Sequence, residues 1–292
     1  MKILGYLFLS VLIGFSVALA AQTGEPIKAT ARTGGNFEVE AIKDVAYYEG
    51  ENADPDKHKL DLYVPKGQKG FPVLLFAHGG GWKNGDKKEF EFLGKALAEN
   101  GIGVLCINYR LYPQVRFPAN VENVAKAFAW AYQNIAKHGG RADQLFVGGH
   151  SSGGHLVSLL ATNESYLKVE RLAPTDIRGV VSISGLYLIP RGRFPLFEDS
   201  DEGAKKASPI QQIKGNHPPF LLVYADQDFP RFGAMADEFA NALQLAKCDV
   251  KCLNIKDRTH GSVVAKIGED GDPVRQATLE FVEKYSKMKV RP

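Results

Sequence analysis

Between residues 72 and 255 the chain alternates short, unbroken apolar runs with longer stretches in which apolar residues recur every three or four positions. Pro72-Val73-Leu74-Leu75-Phe76-Ala77 is such a run, and others fall at 103–108, 144–149, 178–184, 219–225 and 249–255. Runs of this length mark strands buried on both faces, and strands of that kind need helical crossovers to cover them. The intervening stretches supply the crossovers. Phe90, Leu93 and Leu97 fall at helical spacing, as do Val121, Val124, Ala125, Phe128, Tyr132 and Ile135, and both stripes are expected in the core. A closing helix is predicted over 271–288, and the early segments near 37–47 and 58–64 are expected to form an antiparallel edge. The pattern predicts an α/β fold, a mainly parallel central sheet with helices on both faces, with no internal repeat and no linker to a second domain.

Composition adds a leader and removes some partners. Lys2 precedes the apolar run Ile3 to Leu12, continued by Phe15 to Val17, and Ala18-Leu19-Ala20 has the small-x-small form of a cleavage site. Residues 1–20 therefore read as a signal peptide and 21–292 as one exported domain, periplasmic or secreted, with no stable membrane anchor after cleavage and no nearby cysteine for lipid attachment. The formal net charge of +3 over 292 residues is too small for a polyanion partner, so no nucleic acid is expected. The oligomeric state is left open by the sequence. Three cysteines allow at most one disulfide. Cys106 reads as a buried strand residue, and Cys248 and Cys252 could bridge only across a turn, because extended chain would hold their Cα atoms roughly 13 Å apart.

Two glycine-rich segments carry the chemistry. Gly149-His150-Ser151-Ser152-Gly153 follows the apolar run 144–148, as a strand turning sharply into a helix around an exposed serine. Upstream, His78-Gly79-Gly80-Gly81-Trp82 follows the 72–77 run, and consecutive glycines there offer bare N–H groups suited to an oxyanion. A serine nucleophile needs a base, and the base needs an orienting carboxylate. In the order nucleophile, acid, histidine, the chain supplies Ala225-Asp226-Gln227-Asp228-Phe229-Pro230 after a strand and then His260, the only histidine beyond that loop. The other six, His58, His78, His138, His150, His155 and His217, read as turn, loop or helix-surface residues. Asp226 and Asp228 compete for the acid. Asp228 is favoured, since Asp226 directly follows the strand and could cap the loop by accepting backbone N–H groups. No spacing of metal ligands is present, and no metal or cofactor is expected.

These motifs resemble the α/β-hydrolase esterases related to hormone-sensitive lipase and kynurenine formamidase, a BD-FAE-like group. Leu60-Asp61-Leu62-Tyr63-Val64-Pro65, Asn108-Tyr109-Arg110-Leu111-Tyr112-Pro113, Phe117-Pro118-Ala119 and Gly139-Gly140 extend the likeness in the same order, from about residue 58 to the C-terminus. The resemblance implies an α/β-hydrolase fold, Ser151, Asp228 and His260 as a catalytic triad, and an oxyanion hole from the N–H groups of Gly80, Gly81 and Ser152. Ser152 departs from the family, which often has alanine there, and its hydroxyl is expected to bear on the pocket.

The stretch Gly185 to Pro218 breaks the strand and helix rhythm, with Pro190, Arg191, Arg193, Phe194, Pro195 and Phe197 followed by Glu198, Asp199, Asp201 and Glu202. A small cap insertion over 185–218 is expected, set against a solvated excursion with one packed aromatic pair, with residues 22–57 adding to the same rim. Trp82 is expected in the pocket wall, with a core role as the alternative. The function expected is hydrolysis of small-molecule carboxylic esters with short acyl groups. Two alternatives stand beside it, an arylformamidase acting on N-formyl amides and a catalytically dead binding protein on the same scaffold.

Overall fold

The computed structural model describes residues 37–286, so the expected leader at 1–20 lies outside the described residues. Eight strands form one sheet: β1 (Val39–Ala46), β2 (Lys59–Pro65), β3 (Phe71–Ala77), β4 (Gly103–Ile107), β5 (Gly140–His150), β6 (Val180–Ile183), β7 (Phe220–Gln227) and β8 (Val250–Thr259). Their order is β1-β2-β4-β3-β5-β6-β7-β8. Only β1 and β2 run antiparallel to their neighbours, which is the predicted edge, and all the others pair in parallel.

Side chains alternate across each central strand. Val73, Leu75 and Ala77 point into one core with α2 (Ala119–Asn134), α3 (Ser152–Thr162), α4 (Ser165–Val169) and α6 (Phe232–Leu245). Leu74 and Phe76 point into the other, against α1 (Glu91–Glu99), α7 (Ser262–Ala265) and α8 (Pro273–Ser286). α5 (Asp201–Ala207) lies in the segment between β6 and β7. Full burial of each such side chain is worth about 1.5–3 kcal/mol, so the two-sided layering supplies most of the driving force.

Several local expectations are revised. Tyr132 is 39% exposed, because Ala131, fully buried, takes the inward place on that turn of α2 and rotates its neighbour to the edge. Phe90 is buried but belongs to a 3₁₀ turn, Lys87–Phe90, that Asp86 caps by accepting from Lys88 N–H. β5 and β8 begin or end in polar residues that no apolar run announced. Cys248 and Cys252 are free thiols, since Cys252 lies on extended β8 with no turn between them. Residues 37–57 lie at the β1 end of the sheet, and none of them lines the cavity described below. Among the described residues no helix is long and apolar enough to cross a membrane.

The order reverses around β3. β4 lies on one side of it and β5 on the other, which opens a crevice at the carboxyl ends of β3 and β5. Register then aligns the strand ends: Ala77 pairs with Gly149, His150 with Ile183, and Gln227 with Thr259. The residues that leave the sheet next are therefore neighbours in space.

Candidate active site

Ser151 stands between the last residue of β5 and the first of α3, at φ 55 and ψ −117. A non-glycine residue in such a conformation costs about 1–3 kcal/mol, and the surroundings must hold it there. Ser151 N–H donates to Ile183 O at 2.8 Å, and Ser151 O accepts from His155 N–H at 3.0 Å. The flanking glycines are required for close approach. A Cβ on Gly153 would lie 2.1 Å from Ala77 O, and one on Gly149 would lie 2.4 Å from the carbonyl carbon of Gly153. Both obstacles are backbone, so neither can swing aside. Gly153→Ala is expected to destabilise the fold by about 3 kcal/mol, read as a lowered denaturation midpoint with the slope unchanged.

The strand ends bring the remaining groups to Ser151. Its hydroxyl donates to His260 Nε2 at 2.9 Å, and His260 Nδ1–H donates to Asp228 Oδ1 at 2.6 Å. Asp228 Oδ2 accepts from Ser184 Oγ at 2.5 Å, and its Oδ1 accepts from Phe229 N–H at 2.8 Å. Burial pushes the Asp228 carboxyl up, but the hydrogen bonds from His260 and Ser184 outweigh it and hold the group below its ordinary value. Asp226 is placed elsewhere, on the exposed side, accepting from Arg258 N–H at 3.1 Å. It ties β7 to β8, the capping work expected of a loop aspartate.

Before the glycine turn, β3 ends at Ala77. Gly80 and Gly81 take φ 110 and 61, and a Cβ on Gly80 would lie 2.1 Å from Asn84 O. Gly80 O accepts from the N–H groups of Lys83 and Asn84, while none of the turn bonds of this loop uses the N–H of Gly80 or Gly81. Ser152, the first residue of α3, has an N–H that no helical carbonyl can reach. Its side chain is fully buried, with Oγ 3.4 Å from Tyr109 OH, and it does not line the cavity, so the expected effect of this hydroxyl on the pocket is not seen.

Ser151, His260, Gly80 and Gly81 open onto a cavity of about 800 Å³. Leu186, Leu188, Pro190 and Phe194 of the 185–218 segment wall one side, and Phe229, Phe232 and Met235 another. Trp82 lines the cavity and is only 2% exposed, so both roles weighed for it are present. It packs edge-on against Phe194 and Phe197, at centroid distances of 5.2 and 5.1 Å, and joins that segment to the glycine turn.

Some participants were not legible in the motifs. Ser184, one residue beyond β6, orients Asp228; its position at the end of an apolar run was the only available signal. Phe229 lies 4.3 Å from the His260 ring between centroids. His150, His155 and His78 are buried, not surface, residues. His150 Nε2–H donates to His260 O at 2.8 Å and fastens the backbone at His260 to the serine turn. His155 accepts from Trp82 Nε1–H at 3.2 Å and donates to Ala207 O at 2.8 Å. His78 Nδ1–H donates to Gly79 O at 2.6 Å, and its ring stacks on Tyr109.

Burial pushes each of these three imidazoles down to about 4, with the nearby His260 adding to the effect on His150. They are neutral in the fold, whereas in the unfolded chain they take up protons below about 6.5. Below that value the unfolded state binds more protons, so stability falls as the pH drops from about 6.5 to about 4, on the order of 1–3 kcal/mol for each histidine. Thermal melts between pH 7 and 4 are expected to show a steady fall in Tm. A flat profile would contradict these buried neutral states.

Comparison with known proteins bears on the family and the fold. Residues 60–186 match the BD-FAE family model, a span that holds the glycine turn and Ser151 but ends before Asp228 and His260. A probable isoprenylcysteine alpha-carbonyl methylesterase of Oryza sativa subsp. japonica is 28% identical over 85% of this chain, which spans 63% of that protein's length. A kynurenine formamidase of Danio rerio is 25% identical over 84% of this chain and 83% of its own. Among solved structures, an inhibited esterase B from Lactobacillus rhamnosis superposes with a TM-score of 0.73 at 20% identity, covering 89% of this chain and 90% of that one. Over residues 60–186 the chain is similar to the BD-FAE family, and its fold is that of the α/β-hydrolases.

Proposed function

We propose that this protein is a serine carboxylesterase acting on small-molecule esters with short acyl groups. One observation carries the reading: an unbroken relay from Ser151 Oγ through His260 to Asp228, at 2.9 and 2.6 Å, opens onto an apolar cavity beside unused backbone N–H groups. His260 Nε2 takes the serine proton as Oγ attacks the ester carbonyl carbon. The carbonyl oxygen, now an oxyanion, accepts the N–H groups of Gly80, Gly81 and Ser152. His260 then gives its proton to the departing alkoxide, the alcohol leaves, and the acyl group remains on Ser151. A water molecule, deprotonated by the same nitrogen, attacks the acyl carbon and releases the acid, while Asp228 keeps Nδ1 protonated throughout. In this reading the 185–218 segment is a cap over the acyl site.

The test is turnover of a p-nitrophenyl ester series, acetyl to decanoyl, by the chain from Ala21. Turnover that falls with acyl length is expected. The formamidase relative, matched over 83% of its length, supports a second reading in which the same residues attack an N-formyl amide. Cleavage of N-formylkynurenine with no turnover of any ester would replace the first reading by the second. Export is proposed from the leader pattern of residues 1–20 alone, and N-terminal sequencing of the chain recovered outside the cytoplasm should begin at Ala21.

A further inference from the structure

We infer that Arg193 and Arg231 make the cavity selective for esters whose non-reacting part carries a carboxylate on an apolar chain. The inference rests on the serine-esterase reading above and narrows its substrate class.

Histidines apart, the cavity is lined by two ionisable side chains, and both are arginines. They come from different walls, Arg193 from the 185–218 segment and Arg231 from the N-terminal end of α6. A guanidinium is charged at every physiological pH, and its planar fork of donors matches a carboxylate. Neither of these two has an ion pair or a side-chain hydrogen bond to the protein among the described residues; the Arg193 guanidinium only lies over the Phe194 ring, 5.9 Å from its centroid.

Neighbouring charges sharpen the contrast. Arg191, two residues earlier, is neutralised by Asp199 at 3.1 Å and Asp201 at 3.5 Å, and it does not line the cavity. Glu198 is bonded by Ser200, and Glu202 faces Lys206. No aspartate or glutamate lines the cavity, and the carboxylate behind His260 is already engaged by His260, Ser184 and backbone N–H groups. The backbone at Arg231 adds a separate observation. It sits at φ 73, where glycine is unstrained and an arginine costs about 1 kcal/mol, yet the chain places a long cation there. The rest of the lining includes Leu186, Leu188, Phe232 and Met235, so a ligand that fills the space has an apolar body and an anionic end.

The test uses two pairs of esters matched in length. Methyl octanoate and monomethyl suberate differ by a carboxylate on the acyl side; hexyl butyrate and 6-butyryloxyhexanoate differ by one on the alcohol side. With acid release followed at low ionic strength, at least one anionic ester is expected to exceed its neutral partner in kcat/KM by about tenfold, the scale of one exposed charge-assisted hydrogen bond. The double variant R193Q/R231Q should bring that ratio back towards one, mainly through KM, and added salt should shrink it. R191Q should leave the ratio where it is. Preference for the neutral ester in both pairs, or an unchanged ratio in the double variant, would overturn the inference. Failure of the underlying reading is distinguishable, because it would also abolish p-nitrophenyl butyrate turnover and labelling of Ser151 by a fluorophosphonate.

Discussion

Ser151→Ala is expected to abolish ester turnover, lowering kcat on the order of a millionfold while leaving the fold intact. Loss of a triad nucleophile in serine hydrolases has effects of that size, because the remaining groups still bind substrate and stabilise charge but have no attacking atom. The fold should survive because the hydroxyl's one hydrogen bond is to His260, so its removal leaves the bonds through Ser151 N–H and C=O untouched. Alanine also keeps the Cβ already accommodated at φ 55. The measurements are kcat/KM on p-nitrophenyl acetate, a thermal melt, and labelling by a fluorophosphonate, which should mark the parent chain and not the variant. Retained turnover would remove Ser151 from the mechanism.

Asp228→Asn is expected to lower kcat by about ten-thousandfold, whereas Asp226→Asn should change it by less than about threefold. The first value is that of the corresponding change in a Ser-His-Asp enzyme, and the physical reason would hold in the proposed mechanism. An asparagine amide turned towards Nδ1 donates where the carboxylate accepted, so the ring hydrogen moves to Nε2 and faces the serine hydroxyl as a competing donor. Asp226 touches only backbone, Arg258 N–H among it, on the exposed side of the β7–β8 junction. Equal losses in the two variants would show that the loop's shape, and not the relay, is what matters.

Which of the two aspartates joins His260 was only partly legible in the sequence. The two are only two residues apart, Asp226 near the end of β7 and Asp228 just beyond it, and which of them meets the histidine depends on register. Gln227 pairs with Thr259, which sets Asp228 beside His260, and pairing offset by two residues would have presented Asp226. The strands were legible because burial on both faces leaves continuous apolar runs, and Ser151 was legible because only small neighbours tolerate the backbone contacts at Gly149 and Gly153. Ser184 was not, since a serine at a strand end has no local feature that announces a partner 44 residues away in Asp228. The same holds for His150 and His155, whose partners, His260 O and Trp82, exist only once the sheet has formed. Leu186, Leu188 and Met235 look like ordinary core residues in sequence, and only the packing assigns them to a cavity wall.

His260, the proposed base, directly follows β8, which has a neighbour on one side only and is mostly unburied along its length. A strand held by a single ladder opens more readily than the centre of the sheet, where Val73–Ala77 of β3 lie between β4 and β5. On the proposed mechanism, activity is therefore expected to be less durable than the fold. Fraying that begins at this margin would withdraw His260 while the serine turn stays formed, so turnover should be lost at a lower denaturant concentration than the structure of the sheet's centre.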